Sequence, residues 1–299
     1  MLSALAAFVI LLAAGPAHAR WRTSGVGDRW VTDGHKAQVS DPGAKGPEIF
    51  TLARRGLAIS NAWQAQGESI DDQALTFDSA LDFENRERQY WANNLIRGKL
   101  MMGMYPDTEK HLSVLLDAEV DCFASVQSEV PAQSDAAAWD ADSAPQIARY
   151  APAASACASA MGLTEEEPLT FLHCPIDAQR TPSDGLVQNA TLLRLLDDLL
   201  AHYEAGGRCV YIHSAHGRGR AAVVGGCLLS LLRPELDAKA VLAALQTGYE
   251  TRGVGGASKS PENVLQSRFV SSFVSATRAA NRLQNDMDMV IGGLPKAFL

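Results

Sequence analysis

The chain has 299 residues, 47% of them hydrophobic and 20% charged, with 34 Asp and Glu against 26 Lys and Arg for a formal net charge of −8. That length holds one large domain or two small ones, and the composition is that of an ordinary globular protein. The acidic balance argues against a nucleic-acid-binding surface, which needs clustered positive charge, and leaves room for a small basic pocket around an anionic ligand.

Leu2 to Gly15 is an uninterrupted run of apolar and small residues, followed by Ala17-His18-Ala19 with small residues at the two positions a signal peptidase inspects. The run is too short to cross a bilayer core of about 30 Å as a helix. Residues 1–19 therefore read as a cleaved signal peptide, although no Lys or Arg precedes the run, and the mature chain is expected to begin at Arg20 without a transmembrane helix. This reading places the protein in the secretory pathway, outside the cell or in an organellar lumen; a misassigned start would leave it cytoplasmic. Residues 20–88 are mixed and weakly periodic, an N-terminal extension that is partly ordered, with one helix near Ile49 to Gln66.

Regular patterning follows. Leu95-Ile96 and Leu100-Met101-Met102 flank a Gly-Lys turn, and Gly103-Met104-Tyr105-Pro106 ends this hairpin-like segment. Thr108 to Ala118 has helical spacing, with Leu112, Leu115 and Leu116 on one face. Val120 to Val126 reads as a buried strand, and Pro131 to Glu167, rich in Ala, Ser, Asp and Pro, as an insertion holding a helix or two. Leu169 to Ile176 is a second strand, Leu186 to Tyr203 an amphipathic helix ended by Gly206-Gly207, and Arg208 to His213 a third strand. Ala221 to Leu232 is apolar on all sides, so that helix is buried. Asp237 caps a helix running to about Thr251, and Pro261 to Arg282 forms the last helix with Pro in its first turn, leaving 283–299 as a tail. Strands alternating with helices give an α/β fold with a mostly parallel central sheet covered on both faces. The five cysteines form no CxxC pair and, being odd in number, no disulfide framework; Cys122, Cys174 and Cys209 read as core residues, and no metal site is expected.

The chemistry concentrates in Val210-Tyr211-Ile212-His213-Ser214-Ala215-His216-Gly217-Arg218-Gly219-Arg220-Ala221, which runs strand, glycine-punctuated loop, buried helix. Successive backbone N–H groups in a tight loop make a concave anion nest, and the positive end of the following helix points into it. The residues expected to line the nest are Ala215, His216, Gly217, Arg218, Gly219 and Arg220. Arg220 at the helix start can grip a phosphate through two parallel hydrogen bonds. His216 and Arg218 protrude, either adding charge for a polyanionic ligand or remaining solvated loop charges.

This segment resembles the His-Cys-x-x-Gly-x-x-Arg signature loop of the cysteine-dependent tyrosine and dual-specificity phosphatases, with His213, Gly217 and Arg220 in place and Ser214 at the cysteine position. Gly103-Met104-Tyr105-Pro106, Val126-Gln127-Ser128-Glu129, Pro175-Ile176-Asp177 with Pro182, and Ser260-Pro261-Glu262-Asn263 with Gln266, Phe269 and Val270 are similar to further motifs of dual-specificity-like domains. The resemblance implies such a domain over 89–282, with an insertion at about 130–167. It implies no cofactor, and a phosphorylated protein, lipid or glucan as ligand. It also implies a two-step reaction in which a thiolate attacks phosphorus while an Asp protonates the leaving oxygen and then activates water. Asp177 is the candidate general acid, with Asp184 in the same loop region as the alternative. Ser214 sits at the nucleophile position but does not ionise usefully without a base, and His213 next to it on a strand points to the opposite face. Arg252 after Tyr249 resembles a family position or caps its helix, and Ala221 departs from the usual Ser or Thr. Three readings follow: a phosphate-binding pseudophosphatase, a working phosphatase, and an interaction domain with a vestigial pocket.

Overall fold

In the computed structural model, residues 48–66, 91–141, 145, 147–163, 168–177, 190–252 and 258–292 are described. The signal-peptide reading of 1–19, together with Pro182 and Asp184, lies outside them. Five described strands form one sheet in the order β1-β2-β5-β3-β4: β1 Ala92–Ile96, β2 Leu100–Met104, β3 Val120–Gln127, β4 Thr170–Ile176 and β5 Cys209–Ser214. β1 and β2 are the expected antiparallel hairpin, turning through 97–99 with Gly98 at φ 68°. β2, β5, β3 and β4 run parallel, so their carboxyl ends share one edge.

The central strands are near-continuously buried because helices cover both faces. On one face lie α1 (Ile49–Ala65), α5 (Ala190–Glu204), α6 (Arg220–Leu232), α7 (Ala238–Glu250) and α8 (Val264–Gly292). On the other lie α2 (Glu109–Asp117) and, from the insertion, α4 (Ala151–Ala160), with the short α3 (Ala136–Trp139) between β3 and α4. Every residue of α6 is buried, as its all-round apolar sequence requires. Thr108 and Asp237 cap α2 and α7 by accepting from the backbone N–H of His111 and Ala240.

The helix expected inside the N-terminal extension is α1, and it is part of the core. Leu52, Ala53, Ile59 and Trp63 join the same buried cluster as α6. A Cβ on Gly56 would stand 2.7 Å from the carbonyl carbon of Leu231, so the two helix backbones meet at that glycine. α8 differs from the sequence reading at both ends: it starts at Val264 rather than Pro261 and continues past Arg282 to Gly292. The residues before it are used elsewhere, because Ser260 and Glu262 bond to the loop after β5. Among the described residues no helix is long and apolar enough to cross a membrane.

Candidate anion-binding site

The carboxyl edge of a parallel sheet is where α/β proteins bind ligands, and four strand ends meet there: Met104, Gln127, Ile176 and Ser214. Ser214 is the last residue of β5 and is only 3% exposed. Its Oγ accepts a hydrogen bond from the Gly217 N–H at 3.2 Å. Gly217 has φ 62°, and a Cβ there would overlap the Gly103 carbonyl and stand 2.6 Å from the Met104 nitrogen. Only glycine fits, on both conformational and steric grounds. Ala215 is half-buried and His216 exposed.

α6 begins with no side-chain cap, since its N-cap is Gly219, whereas α2, α3 and α7 are capped by Thr108, Asp135 and Asp237. The positive end of a wholly buried helix is thus left to the loop. Arg220, its first residue, is 7% exposed. Both its terminal nitrogens bond to the Glu129 carboxylate, Nη2 to Oε1 at 2.6 Å, and Nη1 also donates to the Ile176 carbonyl at 3.1 Å. Hydrogen bonding from Arg220 holds the Glu129 carboxyl below its usual range. Asp177 follows Ile176 directly and is exposed, so the candidate acid lies one residue from a backbone contact of Arg220.

Arg218 does not protrude freely as the sequence suggested. Its Nη2 donates to Glu262 Oε1 at 2.6 Å, and its carbonyl accepts from Ser260 Oγ at 3.0 Å. His213 faces the other way from Ser214, fully buried, with Nε2 2.7 Å from the Tyr150 hydroxyl. Burial, with His173 adding to it, lowers its pKa to about 3. This neutral, inward-facing imidazole cannot serve as a base for Ser214. Among the described residues the hydrogen bond at Ser214 Oγ is donated by a backbone amide.

No protein-family model matches the chain, and no curated protein matches it. Solved structures do. PTPMT1 in complex with PI(5)P is similar at 14% identity and TM-score 0.42, covering 64% of this chain and 99% of its own. Kinase associated phosphatase with serine substituted for its catalytic-site cysteine is similar at 16% identity and TM-score 0.39, covering 60% and 88%. P. aeruginosa TpbA is similar at 17% identity and TM-score 0.38, covering 63% and 89%. With TM-scores of 0.42 or less, the fold stands on its own strand order and register.

Several residues at the site carried no role in the sequence. Glu129 was visible only as the end of a strand motif, yet it is the partner of Arg220. Tyr150 comes from the insertion and is seated by Gln133, whose Oε1 accepts from the Tyr150 and Ala151 N–H groups at 3.0 and 3.1 Å. Gln133 Nε2 donates to the Tyr105 hydroxyl, which donates to the Ala148 carbonyl, so the insertion is tied to the end of β2 as well as to His213. Arg252 is no helix cap: it is buried, and it donates to the Gly217 carbonyl from behind the loop.

Proposed function

We propose that this chain is a phosphatase-fold protein that binds a phosphate monoester in the loop from Ser214 to Arg220 and turns it over slowly or not at all. The ligand is carried on a protein, lipid or glucan. The observation that carries this reading is the coincidence, at the carboxyl edge of the sheet, of an uncapped helix N-terminus, Arg220 and the glycine-built loop. Backbone N–H groups of 215–220, apart from the Gly217 N–H that Ser214 Oγ already holds, supply the donors, and Arg220 supplies the charged fork. Arg220 is already oriented by Glu129, so little side-chain entropy is lost when it meets the ligand. The folded unit we assign to this task is 89–282, with helix α1 added to its core and the insertion anchored behind the loop through Tyr150.

The weakness lies at Ser214. Its hydroxyl accepts from Gly217, and the neighbouring imidazole is turned away and held neutral by burial. An alkoxide is not generated under those conditions. Asp177 is the residue we assign to protonate a leaving group, and Asp184 takes its place if Asp177 proves dispensable. The test is titration with tungstate, a tetrahedral oxyanion, of the unmodified protein and of Arg220→Met. Saturable 1:1 binding is expected, weakened by about 1.5–3 kcal/mol in the variant, the range for a hydrogen bond to a charged group. Equal affinity in the two proteins refutes the site.

A further inference from the structure

The loop is surrounded by three arginines, and they are not equivalent. Arg218 is paired with Glu262 and Arg220 with Glu129. Each of those charges is therefore balanced by a carboxylate. Arg252 is 1% exposed, and its acceptors among the described residues are all neutral: Asn93 Oδ1 at 2.7 Å from Nε, and the carbonyls of Met102 and Gly217 at 2.9 and 3.1 Å from Nη2. The Tyr249 ring lies 5.2 Å from its Cζ. Among the described residues no carboxylate forms an ion pair with it. A guanidinium stays protonated in proteins, so a full positive charge is kept inside the fold with no carboxylate paired to it among the described residues.

Its position explains why such a charge is tolerated. In a trans peptide the C=O and the following N–H point in opposite directions. Arg252 holds the Gly217 carbonyl, which turns the Arg218 N–H away from Arg252 and toward the open side of the loop. Ser260 does the same at the next peptide by donating to the Arg218 carbonyl, which turns out the Gly219 N–H. The buried guanidinium therefore both aims an amide at the cup and places its charge behind it.

We propose that Arg252 is the internal cation of the anion site and sets its preference for a doubly charged ligand. A phosphate monoester dianion is favoured over singly charged phosphodiesters and sulfate esters. This rests on the reading of the loop as an anion site. Arg252 acts through Gly217 and through its field, so it is a positioning and specificity-determining residue.

The experiment uses two oxyanions of one shape and different charge, tungstate (two negative charges) and perrhenate (one), titrated calorimetrically into the full chain. A Coulombic contribution scales with ligand charge. Arg252→Gln is expected to lose about tenfold in perrhenate affinity and about a hundredfold in tungstate affinity, whereas a purely structural defect weakens both alike. Asn93→Asp keeps Arg252 and sets a carboxylate against its Nε, supplying the missing counter-ion. It should fold even where Arg252→Gln does not, and weaken tungstate about tenfold more than perrhenate. An unchanged tungstate-to-perrhenate ratio in Asn93→Asp, or equal losses for the two anions in Arg252→Gln, overturns the proposal. Should those results arise while Arg220→Met still loses tungstate binding, the anion site stands and only the role of Arg252 falls. Failure of the unmodified protein to bind either anion overturns both.

Discussion

Replacing Gly217 by Ala isolates the loop conformation on which the site depends. The native φ of 62° lies in the left-handed region, which costs an L-residue about 1–2 kcal/mol. The added methyl also overlaps the Gly103 carbonyl and comes within 2.6 Å of the Met104 nitrogen, both backbone atoms of β2 that cannot rotate aside. Overpacking of this kind costs about 1–3 kcal/mol, giving a total of about 2–5 kcal/mol. Gly98→Ala is the control: its φ is 68°, but nothing lies within 4 Å of the new methyl. It should cost about 1–2 kcal/mol, the conformational part alone. Urea denaturation of the three proteins gives the differences from midpoint shifts at constant m. Tungstate titration should show Gly98→Ala binding normally and Gly217→Ala binding weakly. Equal destabilisation by the two substitutions would mean that the loop is not seated against β2, and the argument for its shape would fail.

The remaining expectations concern pH and processing. His213 has its pKa lowered to about 3 by burial, below its unfolded value of about 6.5, so the unfolded chain takes up more protons between those limits. The stability it contributes is complete above pH 6.5 and is lost as pH falls toward 3, at up to about 1.4 kcal/mol per pH unit. His213→Gln should lack that slope. Asp198, pushed up to about 6 mainly by burial with Asp197 adding to it, titrates in both proteins and cancels in the comparison. Parallel stability curves from pH 7 to 4 would contradict the burial argument. Mass spectrometry of protein made in a secreting host should find a chain beginning at Arg20; an intact Met1 in the secreted product refutes the cleavage reading of Ala17-His18-Ala19.

Much of this arrangement was legible because local rules set it. The hairpin around Gly98, the Thr108 and Asp237 caps, the buried α6 and the helix near Ile49 all follow from periodicity and end signals over short windows. The loop was legible for the same reason: its glycines and Arg220 are contiguous in sequence. Contacts between distant segments were not. Glu129 meets Arg220 across 91 positions, and Tyr150 meets His213 across 63, through strand register and the docking of an insertion that no local pattern encodes. The sequence leaves Arg252 between a family position and a helix cap, because arginine is rarely buried and its inward course shows only once β1, β2 and the loop surround it. The start of α8 was missed because Pro261 imitates a helix opening, while Ser260 and Glu262 are committed to Arg218.

The central claim is that the anion site is assembled but lacks its nucleophile, and restoring the nucleophile tests it most directly. In Ser214→Cys, a thiolate whose pKa is lowered by the loop and the helix terminus would attack phosphorus. An S–P bond forms, the P–O bond to the leaving group breaks, and Asp177 protonates the departing oxygen. Water then cleaves the S–P bond, with Asp177 taking its proton. The measurement is steady-state hydrolysis of an aryl phosphate by the unmodified protein, Ser214→Cys, and Ser214→Cys combined with Asp177→Ala. Little turnover by the unmodified chain is expected, with a gain of at least about two orders of magnitude in Ser214→Cys, or about 2.7 kcal/mol in barrier. Loss of that gain in the double variant would assign Asp177, and its persistence would pass the role to Asp184. Strong hydrolysis by the unmodified protein that Ser214→Ala abolishes, or no gain from Ser214→Cys, would contradict the account.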